Sequence, residues 1–373
     1  MKFNVSSSAL LRQLQNLSGV LGSSNSLPIL DCYLFKISQK ELKIVSSDLE
    51  TTMSTSLEID SQDEGIIAIP AKILIETMKS LPANNVLTFE IDDKKHAIEI
   101  SSDFGTYKLV GYSGDEFPSL PELTSSATFE IDATGLLVAI NNTLFAVGTD
   151  DLRPAMTGVF IQLDANGATF VATDAHKLVK YKRTDAKSDT ECSYIIPKKP
   201  LGLLKNILSD KGSVKVEYNK TNVSFSQNNI YLVSKLIDEK YPNYNAVIPQ
   251  NNPNTLLVDR ELFLSSIKRV AVFSNKTTNQ IRLKLKQNED LTTFAEDLDF
   301  SNEANENIKC DYKGEDLEIG FNARFLMEIL SQLTSNEVIL ELNKPNNAAI
   351  VKPYKTDDEL LMLCMPVMLH QNQ

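Results

Sequence analysis

The hexapeptide Ile69-Pro70-Ala71-Lys72-Ile73-Leu74 recurs twice along the chain, and this recurrence decides the fold. Its second copy is Ile196-Pro197-Lys198-Lys199-Pro200-Leu201, and a looser third copy is Gly320-Phe321-Asn322-Ala323-Arg324-Phe325. Each copy opens a helical pattern with Pro or Asn near its start, where a missing or capped N–H costs least. The recurrence indicates one structural unit that is present three times.

Further landmarks repeat in the same order. Phe3-Asn4-Val5, Phe129-Glu130-Ile131 and Leu256-Leu257-Val258 each lead into apolar residues spaced three or four apart, as in an amphipathic helix. Alternating β-branched segments at 86–91, 214–218 and 338–342 predict strands after the second helix of each unit. Phe117-Pro118, Tyr241-Pro242 and Met365-Pro366 stand at equal spacing and offer a third landmark.

The predicted fold class is α+β, with two helices packed on several antiparallel strands in each unit. We expect three tandem domains, at residues 1–124, 125–251 and 252–373, with boundaries in the polar, proline-containing stretches 121–127 and 249–254. The alternative is chance similarity within an ordinary α+β protein. Three landmarks in one order across three copies argue against chance.

Length and composition are those of a soluble, multidomain protein. A chain of 373 residues is too long for one ordinary core. Its 42% hydrophobic and 23% charged residues exclude a mainly disordered chain. Lys and Arg number 37 against 49 Asp and Glu, a net charge of −12. Such an acidic chain does not bind nucleic acid over its whole surface, although a local basic stripe is compatible with it.

Export, membrane insertion and metal binding are not expected. The N-terminal residues lack the apolar core of a signal peptide, and no stretch approaches about 18 consecutive apolar residues. Cys32, Cys192, Cys310 and Cys364 lie far apart without a CxxC motif, which predicts buried, reduced thiols and no metal or cofactor. The expected compartment is the cytoplasm.

Catalytic motifs are missing from the sequence. Asp174 and His176, with a serine, are the only residues from which a nucleophilic triad could be imagined. No GxSxG, P-loop or HExxH motif accompanies them. We therefore expect a protein without enzymatic activity, and an enzyme using His176 is the remotest alternative.

Equal units joined head to tail continue as an arc, and contacts between two arcs close a ring or extend a filament. Six units would line a ring with twelve helices of about 10 Å each, which leaves a central opening of roughly 28 Å. A hydrated B-form duplex passes through such an opening.

Seven segments stand in order on this triplicated frame: Met1-Lys2-Phe3 with Leu27-Pro28-Ile29-Leu30, Ser47-Asp48-Leu49-Glu50, Thr173-Asp174-Ala175-His176-Lys177-Leu178, Ser234-Lys235-Leu236-Ile237-Asp238, Tyr241-Pro242-Asn243-Tyr244, Ile319-Gly320-Phe321-Asn322 and Met365-Pro366-Val367. Together they make the chain resemble the bacterial DNA polymerase III β subunit family, the sliding clamps. The resemblance implies a homodimeric, head-to-tail ring with helices lining the channel, which encircles double-stranded DNA without sequence preference and tethers the polymerase. The alternative is a triplicated scaffold that binds proteins without encircling DNA.

The basic residues of the predicted helices are the candidate DNA contacts. Any exposed helix carries lysines, but their shared location, away from the acidic run at 289–306, favours a weakly positive channel with non-specific phosphate contacts. The expected DNA-facing set is Arg12, Ser24, Lys72, Lys79, Lys198, Lys199, Lys205, Lys268, Arg269 and Arg324. The loop Gly22-Ser23-Ser24-Asn25-Ser26 lacks the basic residue that many sliding clamps have there.

The resemblance also implies a groove that accepts short peptides from the polymerase, the clamp loader and repair proteins. Methionines and proline give such a groove an adaptable apolar surface. Its expected residues are Met156, Thr173, Ala175, His176, Lys177, Leu178, Pro242, Val247, Ala349, Leu363, Met365, Pro366, Val367 and Met368. The run 360–369 also fits a final core strand, so alternate residues are expected to serve each role. Ala246 and Met368 stand where relatives often have arginine.

A subunit interface is the third implied surface. An unpaired edge strand with Tyr107, Lys108 and Leu109 is expected to meet the third domain of another copy, where Lys108 faces the acidic run. Without the resemblance, a core position is the favoured interpretation of Phe273. The expected interface residues are Ile73, Tyr107, Lys108, Leu109, Val272, Phe273, Glu296 and Glu303.

Overall fold

The computed structural model describes residues 1–22, 27–83, 85–119, 121, 123–124, 127–188, 191–356 and 359–369. Its elements repeat three times. The first repeat contains β1 (Lys2–Ser6), α1 (Ser7–Ser18), β2 (Cys32–Ile37), β3 (Glu41–Ser47), β4 (Thr51–Glu58), β5 (Asp60–Ser61), β6 (Gly65–Pro70), α2 (Ala71–Ser80), β7 (Val86–Asp92), β8 (Ala97–Ser102), β9 (Gly105–Val110) and β10 (Tyr112–Ser113).

The second and third repeats follow the same order. The second contains β11 (Ala127–Asp132), α3 (Ala133–Leu144), β12 (Gly158–Asp164), β13 (Gly167–Thr173), β14 (Lys177–Arg183), β15 (Cys192–Pro197), α4 (Lys198–Ile207), β16 (Ser213–Tyr218), β17 (Asn222–Gln227) and β18 (Ile230–Lys235). The third contains β19 (Asn254–Asp259), α5 (Arg260–Val270), β20 (Gln280–Leu285), β21 (Leu291–Asp297), β22 (Asn302–Ile308), β23 (Cys310–Lys313), β24 (Leu317–Asn322), α6 (Ala323–Gln332), β25 (Glu337–Leu342), β26 (Ala349–Pro353), β27 (Glu359–Cys364) and β28 (Pro366–Val367).

The helices form where the spacing predicts them. Leu10, Leu14 and Leu17 make the buried face of α1. Asp259 caps α5 by accepting a hydrogen bond from the Leu262 N–H at 2.8 Å, and Asn322 caps α6 by accepting one from the Arg324 N–H at 2.9 Å. Both side chains satisfy backbone donors that a helix start leaves without a partner. The two-helix, antiparallel unit predicted from the repeats is thereby confirmed.

The strands form four antiparallel sheets. Two have five strands, in the orders β5-β1-β7-β8-β9 and β22-β21-β20-β24-β28. The other two have nine, in the orders β10-β6-β2-β3-β4-β18-β17-β16-β11 and β15-β12-β13-β14-β27-β26-β25-β19-β23. Each nine-stranded sheet combines two successive repeats, since β4 pairs with β18 and β14 pairs with β27.

Contacts group the chain into two compact units. One comprises Met1–Leu137 with Lys199–Leu236, and the other comprises Val138–Lys198 with Ile237–Gln373. The grouping follows the sheets, because each nine-stranded sheet draws half of the second repeat to a neighbouring repeat. The three-domain division by sequence describes the repeated unit and stays a prediction.

The Met365-Pro366 landmark does not occupy the same position in its repeat as the other two apolar-proline pairs. Phe117-Pro118 follows a 3-10 turn at Gly114–Glu116, and Tyr241-Pro242 precedes another at Tyr244–Val247. Met365-Pro366 instead leads into β28, which pairs with β24 as β10 pairs with β6. Its equal spacing from the other two prolines is therefore not an equivalence of position.

The cysteines are less uniformly buried than the sequence predicts. Cys32 and Cys364 are core residues, and burial raises the pKa of each thiol to about 12. Cys192 and Cys310 are only partly buried because they begin short strands near a sheet edge. The part of the chain that the structure describes holds no group of three or more potential metal ligands. Among the same residues, no helix is long and apolar enough to cross a membrane.

Candidate binding surfaces

The six helices of the described chain carry the opposite charge balance to the whole protein. Acidic residues exceed basic ones overall, 49 to 37, but in the helices basic residues predominate. The basic ones are Arg12, Lys72, Lys79, Lys198, Lys199, Lys205, Arg260, Lys268, Arg269 and Arg324. The acidic ones are Glu76, Glu261 and Glu328. An uncharged α3 contributes neither sign.

All nine basic residues expected to face DNA are exposed, but two have ionic partners. Lys199 Nζ lies 2.5 Å from Asp48 Oδ2 and donates to the Val20 carbonyl oxygen at 2.7 Å. Arg269 forms two 2.7 Å hydrogen bonds to Glu306, which raise the pKa of the guanidinium and lower that of the carboxyl. Within the described residues, no carboxylate lies at ion-pair distance from the other seven. Ser24 lies outside the described residues.

The turn between β13 and β14 positions the expected peptide groove. Asp174 Oδ1 accepts hydrogen bonds from the N–H groups of His176 and Lys177 at 2.9 and 2.8 Å. Thr173 Oγ1 donates to the Lys177 carbonyl oxygen at 2.7 Å. Ala175 adopts a left-handed φ of 75°, which side-chain-bearing residues rarely do. The hydrogen bonds hold this turn closed and leave Ala175 and His176 exposed.

Lys177 is buried beneath this turn. Its ammonium lies 2.6 Å from Asp174, 3.1 Å from Glu328 of α6, and 4.9 Å from the centre of the Phe325 ring. Burial alone would raise the pKa of Asp174, but the hydrogen bonds from Lys177 and the backbone outweigh it and lower that pKa. Burial would likewise lower the pKa of Lys177, and its two carboxylates raise it instead. Lys177 thus joins the turn to α6.

A strand end lies beside the turn. The Met365 N–H donates to the His176 carbonyl oxygen at 2.8 Å, and the His176 ring stacks on Phe325 with 5.4 Å between centroids. The hydrogen bond follows from the pairing of β14 with β27, in which Leu178 lies opposite Leu363. These contacts bring residues from 176 and 365 into one surface.

The residues expected in the groove divide by depth. Five are buried, and they support the surface from below: Thr173, Lys177, Leu178, Ala349 and Leu363. The others are exposed or partly exposed and can touch a ligand: Met156, Ala175, His176, Pro242, Val247, Met365, Pro366, Val367 and Met368. Leu178 and Leu363 belong to an apolar cluster with Val171, Tyr241 and Tyr244. The result is a packed apolar floor with methionines at its surface.

A small cavity extends the groove, and the sequence analysis did not predict it. It has a volume of about 200 Å³ and is lined by Gly148, Thr149, Asp150, Arg153, Met156, Asp174 and His176. Arg153 pairs with Asp150 at 2.8 Å, so a charged pair borders the apolar Met156. The sequence signal was the polar stretch before Pro154, which reads as an ordinary turn.

Strands β9 and β22 each end a five-stranded sheet. Tyr107 and Leu109 are partly buried on β9, whereas Lys108 is exposed and pairs with Glu99 of β8 at 2.9 Å. On β22, Glu303 is exposed. Among the described strands, none pairs with the outer edge of either one.

The remaining expected interface residues lie close to these strands or on α2. Val272 and Phe273 are exposed in a 3-10 turn (Ala271–Phe273) that packs beside β21 and β22. Glu296 pairs with Arg282 in the same sheet. Ile73 is exposed on α2. Phe273 is therefore exposed, as the resemblance implied, and does not occupy the core position that was the alternative.

Three tandem units of two helices and antiparallel strands, with sheets continuing from one repeat into the next, define the fold class of the DNA clamps. Models for the N-terminal, central and C-terminal domains of the DNA polymerase III beta subunit match residues 1–121, 130–243 and 245–368.

Comparison with individual sequences and solved structures gives the same result. The beta sliding clamp of Synechococcus elongatus is 30% identical over 88% of both chains, and that of Pseudomonas putida is 28% identical over 99% of this chain and 100% of its own. The crystal structure of the Pseudomonas aeruginosa DNA polymerase III subunit beta, 27% identical, superposes with a TM-score of 0.94 over 99% of this chain and 100% of its own. The chain belongs to the DNA polymerase III beta subunit family, the beta sliding clamps.

Proposed function

We propose that two copies of this chain close head to tail into a ring around duplex DNA and hold a replicative polymerase there. The role is that of a non-catalytic accessory subunit acting in the cytoplasm. The observation that carries the proposal is the pair of edge strands β9 and β22, whose counterparts join one repeat to the next inside the chain. An edge strand with a matching partner on another copy is a ready interface.

The repeats identify these counterparts. Strands β4 and β14 close the meanders β2-β3-β4 and β12-β13-β14, as β22 closes β20-β21-β22. Strands β18 and β27 close β16-β17-β18 and β25-β26-β27, as β9 closes β7-β8-β9. Because β4 pairs with β18 and β14 pairs with β27, β22 of one copy is expected to pair with β9 of the next.

The internal pairings also supply a register. Thr52 lies opposite Val233 in the first, and Leu178 lies opposite Leu363 in the second. Lys108 corresponds to Val233 and Leu363. The residues that precede these three are Tyr107, Leu232 and Met362. They pair with the equivalent buried residues Ile100, Phe225 and Val351 of the neighbouring strands.

The matching position on β22 is Glu303. It pairs with Glu296 across its hairpin, as Thr52 pairs with Ser47 and Leu178 with Thr173. In the proposed ladder Lys108 is therefore expected to lie opposite Glu303 of the second copy, and the opposite charges favour this orientation.

The exposed basic residues of the helices are the proposed DNA contacts. Seven of them have no carboxylate within ion-pair distance among the described residues, so their charge is available to phosphates. Arg269 and Lys199 are expected to contribute less, because Glu306 and Asp48 already neutralise them. A few weak contacts suit a ring that slides, since each phosphate contact must break and form again.

The groove around His176 and Met365 is the proposed site for short peptides of the polymerase, the clamp loader and repair proteins. Its floor is buried and packed, and Met156, Met365 and Met368 at its surface can repack around different apolar side chains. The nearby cavity of about 200 Å³ has room for one apolar side chain of such a peptide.

Retention on DNA of defined topology tests the ring. The protein is loaded with a clamp loader onto nicked circular DNA and passed over a sizing column. We expect it to stay with the circle and to leave when the DNA is linearised, because only enclosure depends on closed ends. Equal retention on both DNAs would show ordinary surface binding, and no retention on either would favour the scaffold alternative.

A further inference from the structure

Hairpin tips make the same kind of contact at both internal junctions. The β3–β4 tip reaches the first turn of α4, where Asp48 pairs with Lys199 at 2.5 Å. The β13–β14 tip reaches the first turn of α6, where His176 stacks on Phe325 at 5.4 Å. In each case a tip from one repeat is held against the second helix of the next repeat.

The third hairpin, β21–β22, has a longer and more apolar tip. Its ladder continues past the Glu296 and Glu303 pair to Asp297 and Asn302, one pair beyond the corresponding ends of the other two hairpins. In the turn at 298–301, Leu298 is 72% exposed and Phe300 is 74% exposed. Two large apolar side chains so fully exposed on one turn are typical of an interaction surface.

The helix that corresponds to α4 and α6 is α2 of the first repeat. Ile73 is its third residue, as Phe325 is the third residue of α6. Ile73 is 49% exposed, although the neighbouring Leu74 is fully buried. The first turn of α2 thus presents an apolar side chain at the position where α6 receives a hairpin tip.

We propose that the β21–β22 tip of one copy docks on the first turn of α2 in a second copy, with Phe300 and Leu298 covering Ile73. The inference rests on the proposed head-to-tail dimer and adds a contact that is separate from the strand ladder. Pairing β22 with β9 carries the tip toward the repeat that contains α2. Val272 and Phe273 lie beside β22 and expose two further apolar side chains next to the same hairpin.

Chemistry distinguishes this contact from its two internal counterparts. Those rely on an ion pair and on a stacked ring, within a chain that already holds the two repeats together. A contact between separate copies has to supply association free energy, and burial of apolar surface does so. Leucine and phenylalanine at the tip meet that requirement where Asp48 and His176 would not.

The dissociation constant of the dimer tests the proposal, measured by dilution with one fluorophore per copy. Phe300→Ser and Ile73→Ser are each expected to raise it by about ten-fold or more, because each removes a large apolar contact. In the double variant, the loss of association free energy should be smaller than the sum of the two single losses, because both substitutions remove one shared contact. Leu152→Ser, a change at a leucine that is 91% exposed in another turn, should leave the constant unchanged.

The outcomes separate this inference from the dimer itself. If the wild-type chain dimerises and Phe300→Ser and Ile73→Ser keep its dissociation constant, the tip does not dock and only this inference fails. If the wild-type chain is monomeric, the head-to-tail ring fails as well. Strictly additive effects of the two substitutions would place Phe300 and Ile73 in different contacts.

Discussion

Lys177 illustrates what one residue's sequence context can and cannot predict. The run Thr173-Asp174-Ala175-His176-Lys177 marks the groove, and a lysine beside a histidine suggests an exposed ligand contact. The structure buries it to 5% exposure between Asp174 and Glu328. Glu328 is distant in sequence, so only the folded chain brings that carboxylate to the ammonium. Lys177 supports the turn, and the residues above it are left to touch a ligand.

Replacing Lys177 with methionine should destabilise the protein by about 3 kcal/mol, because Asp174 keeps its charge in a mostly buried site without its partner. Urea unfolding followed by circular dichroism measures the loss. Lys198→Met, at an exposed lysine, should change stability by less than about 0.5 kcal/mol. A loss equal to that of Lys198→Met would show that the buried ion pair adds no stability.

The pH dependence of this variant follows from the direction of the Asp174 shift. A carboxyl whose pKa is lowered by folding stabilises the native state above its unfolded pKa of about 3.9, and the contribution disappears as the pH falls through the folded pKa. The difference between wild type and Lys177→Met should therefore shrink below about pH 4. A difference that stays constant down to pH 2 would contradict this origin.

Met365 and Met368 lie exposed at the groove, and both are expected to contact a bound peptide. Met365→Ser and Met368→Ser should each weaken binding of a polymerase-derived peptide by about ten-fold, since a few buried anchors dominate such affinities. The backbone hydrogen bond from Met365 to His176 survives the substitution, which separates side-chain from backbone effects. Fluorescence anisotropy measures the affinity, and Leu262→Ser on α5 serves as the exposed apolar control. Unchanged affinity for both methionine variants would move the site elsewhere.

At the scale of elements, the sequence predicted the six helices because apolar spacing and helix starts are local properties. Leu10, Leu14 and Leu17 face the core as their spacing requires. Hairpin length is not a local property, because the extra pair of Asp297 with Asn302 depends on where two strands align. The spacing of Met365-Pro366 misled for the same reason, because its position in the repeat is determined by the pairing of β28 with β24 and not by sequence spacing.

The proposed register between β9 and β22 makes a prediction for disulfide cross-linking. Lys108→Cys together with Glu303→Cys should form a covalent dimer under mild oxidation, because directly opposite Cβ atoms lie about 4.5–5.5 Å apart. The control pairs Lys108→Cys with Ala304→Cys, whose side chain points to the other face of the sheet. Non-reducing gels give the result.

Two of the four native thiols, Cys32 and Cys364, should interfere little with this experiment, and the partly buried Cys192 and Cys310 are replaced by serine in every variant. Burial raises the pKa of Cys32 and Cys364 to about 12, so few thiolates form there at neutral pH. Efficient cross-linking of the Ala304→Cys control, and not of the Glu303→Cys pair, would mean that the ladder is shifted by one residue.

At the scale of the whole molecule, composition alone does not reveal where charge lies. A net charge of −12 argues against general affinity for DNA, yet the helices carry ten basic and three acidic residues. The sequence predicted this separation because the helices were recognisable. It did not predict that Glu306 and Asp48 neutralise Arg269 and Lys199, since those ion pairs join residues far apart in the chain.

The two ends of the chain present different edge strands, β9 in one terminal sheet and β22 in the other. In the proposed ring, a copy with a substitution that disrupts only one of these strands is expected to associate with an intact copy through the other strand. Such a dimer would have one formed interface and one open interface. It would also keep an intact copy from forming a closed ring. Substitutions at one edge strand are therefore expected to be dominant in a mixture with intact copies, whereas substitutions at both edge strands should only remove the copy that carries them.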